Sequence, residues 1–257
     1  MRLKLTLHFE RPFLIPYNYP RYLYSFLIHA ISLADEEVAE RVHNNRRDIK
    51  FVASKLLPVG EVKRTRDGLL VESGTVRLYV GSPEATLLRG IFDGLGLGTG
   101  NLHIKGQRLL HFEAQLEETP KSLSGKHFRT LSPVSVYHNS PPNGFRQWDL
   151  SPVGQPNSPF ENEPEVWKRL AFENLRSKYM MVYGEPYEGN FEIEVFPESA
   201  RSKMFRIKRD DKTGEYTKVR AWDFEFRMWG EERPLRVAYD LGLGMRNAHG
   251  FGMIEVM

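Results

Sequence analysis

The feature that most restricts how this chain can fold is a single order of elements, strand, helix, two strands, helix, strand, that runs along it twice. Residues 2–9 alternate Leu3, Leu5, Leu7 and Phe9 with Arg2, Lys4, Thr6 and His8, the period of two that a half-buried strand shows. Pro20, just behind Asn18, sits where a helix tolerates proline, and Leu23, Leu27, Ile28 and Ile31 follow at helical spacing. Asp35 can cap a short second helix over 36–43, with Val38, Ala39 and Val42 on one face. Residues 50–57 then read as a strand, and 69–72 with 76–80 as another behind the Asp67-Gly68 turn signal. Residues 84–95 read as a helix and 102–116 as a long closing strand. Ignoring the short helix, this is the split βαβ pattern of a ferredoxin-like unit.

Residues 117–125, polar and containing Thr119, Pro120 and Ser122, read as a linker, after which the order resumes. Residues 128–137 predict a strand. A helix over 164–182 carries Trp167, Leu170, Ala171, Leu175 and Tyr179 on one side, and 191–196 predict a further strand. Residues 203–208 and 218–228 look like two arms of a hairpin turning near Thr213-Gly214, with Trp222, Phe224, Phe226 and Met228 facing one way. A helix over 233–241 and a strand over 249–257 close the chain. A length of 257 residues suits one large or two modest domains. The expected fold is therefore α+β, two tandem ferredoxin-like (βαββαβ) domains over 1–120 and 121–257, with a glycine-rich loop near the C-terminus. The Pro-, Asn-, Ser- and Gly-rich stretch 137–164 is expected to be a long loop or irregular hairpin.

The chain has no cysteine, which removes disulfide frameworks, thiolate metal sites and cysteine nucleophiles together. Its most apolar stretch, 23–33, is broken by Ser25, His29 and Ser32 and falls short of the ~20 apolar residues of a membrane span. The N-terminus alternates like a strand where a signal peptide would be continuously apolar, so a cytoplasmic protein is expected. A net charge of +3 does not by itself imply a polyanion partner, but the charge is uneven. Between 201 and 220, Arg201, Lys203, Arg206, Lys208, Arg209, Lys212, Lys218 and Arg220 outnumber Asp210, Asp211 and Glu215, and Arg46, Arg47 and Lys50 form a smaller group. Such clusters fit either a solvated face or a nucleic-acid footprint.

Residues 242–252 read Gly242-Leu243-Gly244-Met245-Arg246-Asn247-Ala248-His249-Gly250-Phe251-Gly252, two glycine pairs around a five-residue polar turn. Glycine lets another backbone approach closely, so the loop can offer N–H groups to a phosphate, or serve simply as a tight helix-to-strand connection. It lacks the third glycine of a dinucleotide loop and the Gly-Lys-Ser/Thr of a P-loop.

This spacing, at the end of a doubled ferredoxin-like chain, resembles the glycine-rich motif of the CRISPR repeat-processing endoribonucleases, archaeal-type members of the repeat-associated mysterious protein superfamily. Residues 15–20 leading into the first helix, Leu131-Ser132-Pro133-Val134, Lys178-Tyr179-Met180 and Phe205-Arg206-Ile207-Lys208 agree with it. The resemblance implies metal-independent, cofactor-free cleavage of single-stranded or weakly structured CRISPR repeat RNA, which yields guide RNAs. The 2′-hydroxyl attacks the adjacent phosphate, leaving a 2′,3′-cyclic phosphate and a 5′-hydroxyl. Interference-complex proteins and a second copy of the chain are further partners within its scope.

By the same resemblance, His43 matches the family histidine and Lys50, seven residues on, the family lysine. An imidazole titrates near neutrality and can take or give the proton, an effect worth ~10²–10⁴ in rate, while a lysine can neutralise charge on the phosphorane-like transition state. The plainer alternative makes His43 a helix-ending residue and Lys50 a surface charge. At the family tyrosine this sequence has Ile28, with His29 beside it, so either His29 substitutes or Tyr24, one turn earlier, reaches the site; His29 also fits a hydrogen-bonded core histidine. Arg46, Arg47, Lys203, Arg206, Lys208, Gly242, Gly244, Arg246, Asn247, His249, Gly250 and Gly252 are the expected RNA contacts. A non-cleaving RNA-binding member or complex subunit remains the alternative. A metal-dependent nuclease finds no ligand spacing among the eight scattered histidines.

Overall fold

A computed structural model of the chain describes residues 1–44, 50–209 and 216–257. The first half is an antiparallel sheet in the order Val52–Ala53, Thr75–Gly81, Arg2–Phe9, Gln107–Glu117, His103–Ile104, with Leu57–Pro58 also paired to Thr75–Gly81. The alternation of the first strand fixes its faces. Leu3, Leu5 and Leu7 lie opposite Val80, Leu78 and Val76 on one side and Leu116, Ala114 and Phe112 on the other. Helices α1 (Tyr19–Ala34), α2 (Glu36–Asn44) and α3 (Ala85–Gly98) belong to this half. Leu23, Leu27 and Ile31 of α1 join Leu88, Ile91 and Leu95 of α3 in one core over the sheet, each burial contributing about 1.5–3 kcal/mol. Asp35 ends α1 and caps α2, its Oδ1 accepting from Val38 N at 3.0 Å.

The second half repeats the sheet order. Glu192–Val195, Glu225–Trp229, His127–Thr130 and Ile254–Val256 lie side by side, antiparallel, so both sheets read second, third, first, fourth strand. Helices α4 (Glu163–Tyr183) and α5 (Glu232–Leu241) pack on it through Trp167, Ala171, Leu175, Leu235 and Ala238. At the seam between halves Arg2 is buried, its guanidinium 3.4 Å over the Tyr239 ring and donating to the Tyr239 and Ile254 carbonyls. Among the described residues no helix is long and apolar enough to cross a membrane.

Several elements depart from the sequence expectation. The strand over 50–57 is two short pairings. The strand over 102–116 is a hairpin, because Lys105 and Gly106 both take positive φ. Residues 69–72 and 76–80 belong to different sheets: Gly68–Val71 pairs with Phe13–Pro16 and Val62–Arg64. The strand over 128–137 stops at Thr130. Of the two forms expected for 137–164, the stretch holds a hairpin, Tyr137–Asn139 with Gln147–Asp149. Buried Glu163 ties that region to α4, accepting from Trp148 Nε1 at 2.9 Å and Gln155 Nε2 at 2.8 Å. The final strand is only Ile254–Val256.

The basic hairpin pairs Arg201–Arg209 with Tyr216–Asp223 and ends there. Phe224 turns into the second core against Trp167, and Glu225–Trp229 starts a strand in the other sheet. Phe205, Val219 and Ala221 of this hairpin pack in the first half's core, so the hairpin crosses the expected boundary at 120. Phe205 meets Tyr19 of α1 and Phe251 edge-on, with ring centroids 6.0 and 5.1 Å away.

Candidate active site

The glycine-rich segment folds back on itself. Leu243 N donates to Gly252 O at 2.8 Å, and Asn247 Nδ2 latches the bend by donating to Leu243 O at 3.3 Å and Phe251 O at 3.1 Å. A Cβ at Gly252 would stand 2.0 Å from Leu243 O, and one at Gly250 would stand 3.0 Å from Leu23 Cδ2 of α1. These glycines therefore admit protein backbone and helix rather than a ligand. Gly250 N donates to Asn247 O at 3.2 Å and Gly252 N to Pro133 O at 2.9 Å, so the expectation that they offer N–H groups to phosphate is corrected for both. Gly242 and Gly244 are buried as well, and their carbonyl oxygens accept from Lys178 Nζ, each at 2.7 Å.

Lys178 is a residue whose role the sequence reading missed, although it stands three positions after Leu175 on the apolar stripe of α4. Its side chain is half-buried, its ammonium is enclosed beneath the loop, and among the described residues no carboxylate pairs with it. Burial pushes its pKa down to about 7.

Arg246, expected on RNA, turns inward instead. Its guanidinium lies 4.2 Å from the Tyr137 ring centroid and donates to Ser135 Oγ at 3.0 Å and Gln147 Oε1 at 3.3 Å, bracing the loop against the short hairpin. His249, at the end of a one-turn 3₁₀ helix (Asn247–His249), faces α1, where its ring stacks on Tyr24 at 4.3 Å and 30°. Both residues are half-buried. The structure thus joins two residues that the sequence reading kept apart, one as a catalytic candidate and one as an RNA contact.

His29 is exposed on α1, which rules out the core-histidine alternative. His43 is exposed in the last turn of α2, two residues from Arg41. Lys50 is half-buried and ion-paired with Glu84 at 2.7 Å; Arg41 reaches the same carboxylate at 3.6 Å. Arg46 and Arg47 lie outside the described residues. On the hairpin Lys203 and Arg206 are exposed, Lys203 pairing with Asp223, and Lys208 lies on the same strand. Asp223 also sits 3.8 Å from Lys55, whose pKa burial lowers and Asp223 partly restores. Sequence reasoning passed over Lys55, because nothing in one sequence shows the hairpin reaching it.

Two like-ordered antiparallel sheets with five described α-helices and a glycine loop seated on the first helix define a class, a mixed α+β fold. A solved structure titled "An RAMP protein binding different RNA substrates" shares it with a TM-score of 0.79, 22% identity and coverage of 100% of this chain and 99% of that one. The chain belongs to the family described as CRISPR associated protein Cas6, C-terminal, which matches residues 116–256. It is 29% identical over 255 residues to a protein of Methanocaldococcus jannaschii named CRISPR-associated endoribonuclease Cas6 1, covering 99% of this chain and 92% of the relative. It is 28% identical over 249 residues to the CRISPR-associated endoribonuclease Cas6 of Pyrococcus furiosus, covering 96% and 85%. A solved structure titled "CRISPR associated protein Cas6" superposes with a TM-score of 0.77 at 28% identity, over 100% of this chain and 99% of that one.

Proposed function

We propose that this protein is a metal-independent endoribonuclease of the cytoplasm that binds CRISPR repeat RNA and cuts precursor transcripts into guide RNAs. Endoribonuclease activity follows from the family. The observation that carries the siting of the chemistry is the seating of the glycine-rich loop on α1, with the His249 ring 4.3 Å from Tyr24. That seating gives the surface of α1 one titratable ring from each half, and α2, which carries His43, packs on the same helix.

In the reaction the 2′-oxygen attacks the adjacent phosphorus and the bond to the 5′-oxygen breaks. The proton of the 2′-hydroxyl passes to a base and another proton goes to the leaving oxygen. His43 takes one of these roles, and His249 with Tyr24 takes the other. Lys50, with Arg46 and Arg47 near it in sequence, neutralises the phosphorane charge once RNA competes with Glu84 for its ammonium. Lys203, Arg206 and Lys208 of the hairpin bind phosphates further along the strand. The common strand order of the two sheets supports two ferredoxin-like units over 1–120 and 121–257, the hairpin being an insertion of the second that docks on the first.

The test is cleavage of the host repeat RNA in EDTA. One product pair ending in a 2′,3′-cyclic phosphate and a 5′-hydroxyl is expected, with His43→Ala at least ~10²-fold slower. Full activity in His43→Ala overturns the site. Binding without cleavage favours the non-cleaving reading, which the Ile28 at the family tyrosine position supports.

A further inference from the structure

The short hairpin of Tyr137–Asn139 with Gln147–Asp149 has two unlike faces, because side chains alternate along each strand and facing residues share a side. Tyr137, Asn139, Gln147 and Asp149 lie on one face, and that face is occupied. Arg246 of the glycine-rich loop lies over Tyr137 and donates to Gln147 Oε1, while Asp149 Oδ2 accepts from Arg220 N of the basic hairpin at 2.7 Å. His138 and Trp148 face each other on the opposite side. There each has an aromatic neighbour. Phe160 lies 5.2 Å from His138 at 57°, and Phe145 lies 6.3 Å from Trp148 at 20°. The rings form a strip that reaches the turn of the hairpin at Phe145.

At that outer end the strip is bare. Phe145 is 59% exposed, the most exposed aromatic ring among the described residues. The turn that carries it is nevertheless held. Ser140 N donates to Arg146 O and Gly144 N to Pro141 O, both at 3.1 Å, and Phe145 N donates to Asn143 Oδ1 at 3.3 Å. The indole beside it is fixed as well, through its bond to Glu163 Oε1. Phe145 is therefore presented to solvent by an ordered turn, near-parallel to a ring that cannot swing away.

The surroundings of the ring select its occupant. Asn139, Ser140, Asn143 and Arg146 are exposed around it, so the apolar surface is one ring wide, too narrow for an apolar protein partner. Residues 137–148 contain neither Asp nor Glu, and nothing on them repels a phosphate. A flat apolar ring beside a free-standing guanidinium suits a single-stranded nucleic acid, which offers a base face and a phosphate at each step. We propose that Phe145, backed by Trp148, stacks one unpaired base of the bound RNA, and that Arg146 takes an adjoining phosphate. The inference rests on the RNA-binding reading given above and adds to it a contact of another kind. The phosphate contacts of the basic hairpin are blind to base pairing, whereas a stacking ring demands an unpaired nucleotide at one place on the strand. Because the short hairpin is fastened to the basic hairpin at Arg220, that nucleotide lies at a set place relative to the phosphates held there.

Fluorescence anisotropy with labelled repeat RNA, carrying 2′-deoxyribose at the cut and made abasic at one nucleotide at a time, tests this. In the wild type one abasic position should weaken binding roughly 5- to 150-fold, the range of a single stacked base. Phe145→Ala should bind the intact strand more weakly by a similar factor and be indifferent to that abasic position. Phe145→Trp, which keeps a ring, should restore both the affinity and the position dependence. The slope of log affinity against log salt should be unchanged in Phe145→Ala and lower by about 1 in Arg146→Ala. An unaltered guanidinium unfolding midpoint shows that Phe145→Ala has folded. Salt-sensitive binding with a flat abasic scan in the wild type overturns the stacking site and leaves the RNA-binding reading standing, and so does equal affinity of wild type and Phe145→Ala. A wild type that binds no RNA overturns both.

Discussion

Replacing Lys178 with methionine tests whether the glycine-rich loop rests on a desolvated ammonium. In the folded protein Lys178 donates to the Gly242 and Gly244 carbonyls, and burial pushes its pKa down to about 7 from the ordinary 10.5. The unfolded chain keeps the ordinary value. Below pH 7 both states hold the proton and the folded state bears the full desolvation cost. Between pH 7 and the ordinary value the unfolded state binds more protons, so stability rises with pH. The slope approaches 1.4 kcal/mol per unit and totals about 5 kcal/mol across the window. Methionine removes the titration but strands two buried carbonyls at about 1–3 kcal/mol each. Lys178→Met should therefore be clearly less stable than wild type at pH 9 and closest to it, or above it, at pH 6. Guanidinium unfolding midpoints at pH 6, 7, 8 and 9 measure this, and taking the difference between the two proteins cancels every other titrating group. Parallel pH profiles for wild type and variant would refute the reasoning, because they would mean that the ammonium is not desolvated.

His249→Ala should slow single-turnover cleavage by roughly 10²-fold while changing RNA affinity only a few-fold; an unchanged rate removes His249 from the chemistry. Arg206→Ala should lower the slope of log affinity against log salt by about 1, with equal effect on any RNA sequence of the same length; an unaltered slope takes the exposed hairpin out of the phosphate contacts.

The sequence made some of this architecture readable and hid the rest for identifiable reasons. The alternation of Leu3, Leu5 and Leu7 is enough to orient the first sheet, and Asp35 marks the junction of α1 and α2 because its carboxylate serves both. The break at Phe224 is invisible because Trp222, Phe224, Phe226 and Met228 keep one period across it, although Trp222 and Met228 end in different sheets. The glycines were legible as sites of close approach, but not as to what approaches: at Gly252 it is the carbonyl of Leu243. Arg246 and His249 look equally available in sequence, and only the fold turns one onto Tyr137 and the other onto Tyr24. Lys178 carries a signal, a charge on an apolar stripe, which points to burial but not to its two acceptors.

The packing of Phe205 against both Tyr19 and Phe251 has a mechanical consequence. Phe205 of the basic hairpin meets both Tyr19 of α1 and Phe251 of the glycine-rich loop, and Tyr19 Oη donates to the Gly250 carbonyl of that loop at 3.5 Å. Neither can tilt away from that helix without unseating an aromatic side chain buried in the first core. On the proposed site, an RNA strand that touches both the hairpin and the Tyr24–His249 surface would span a distance that this packing sets.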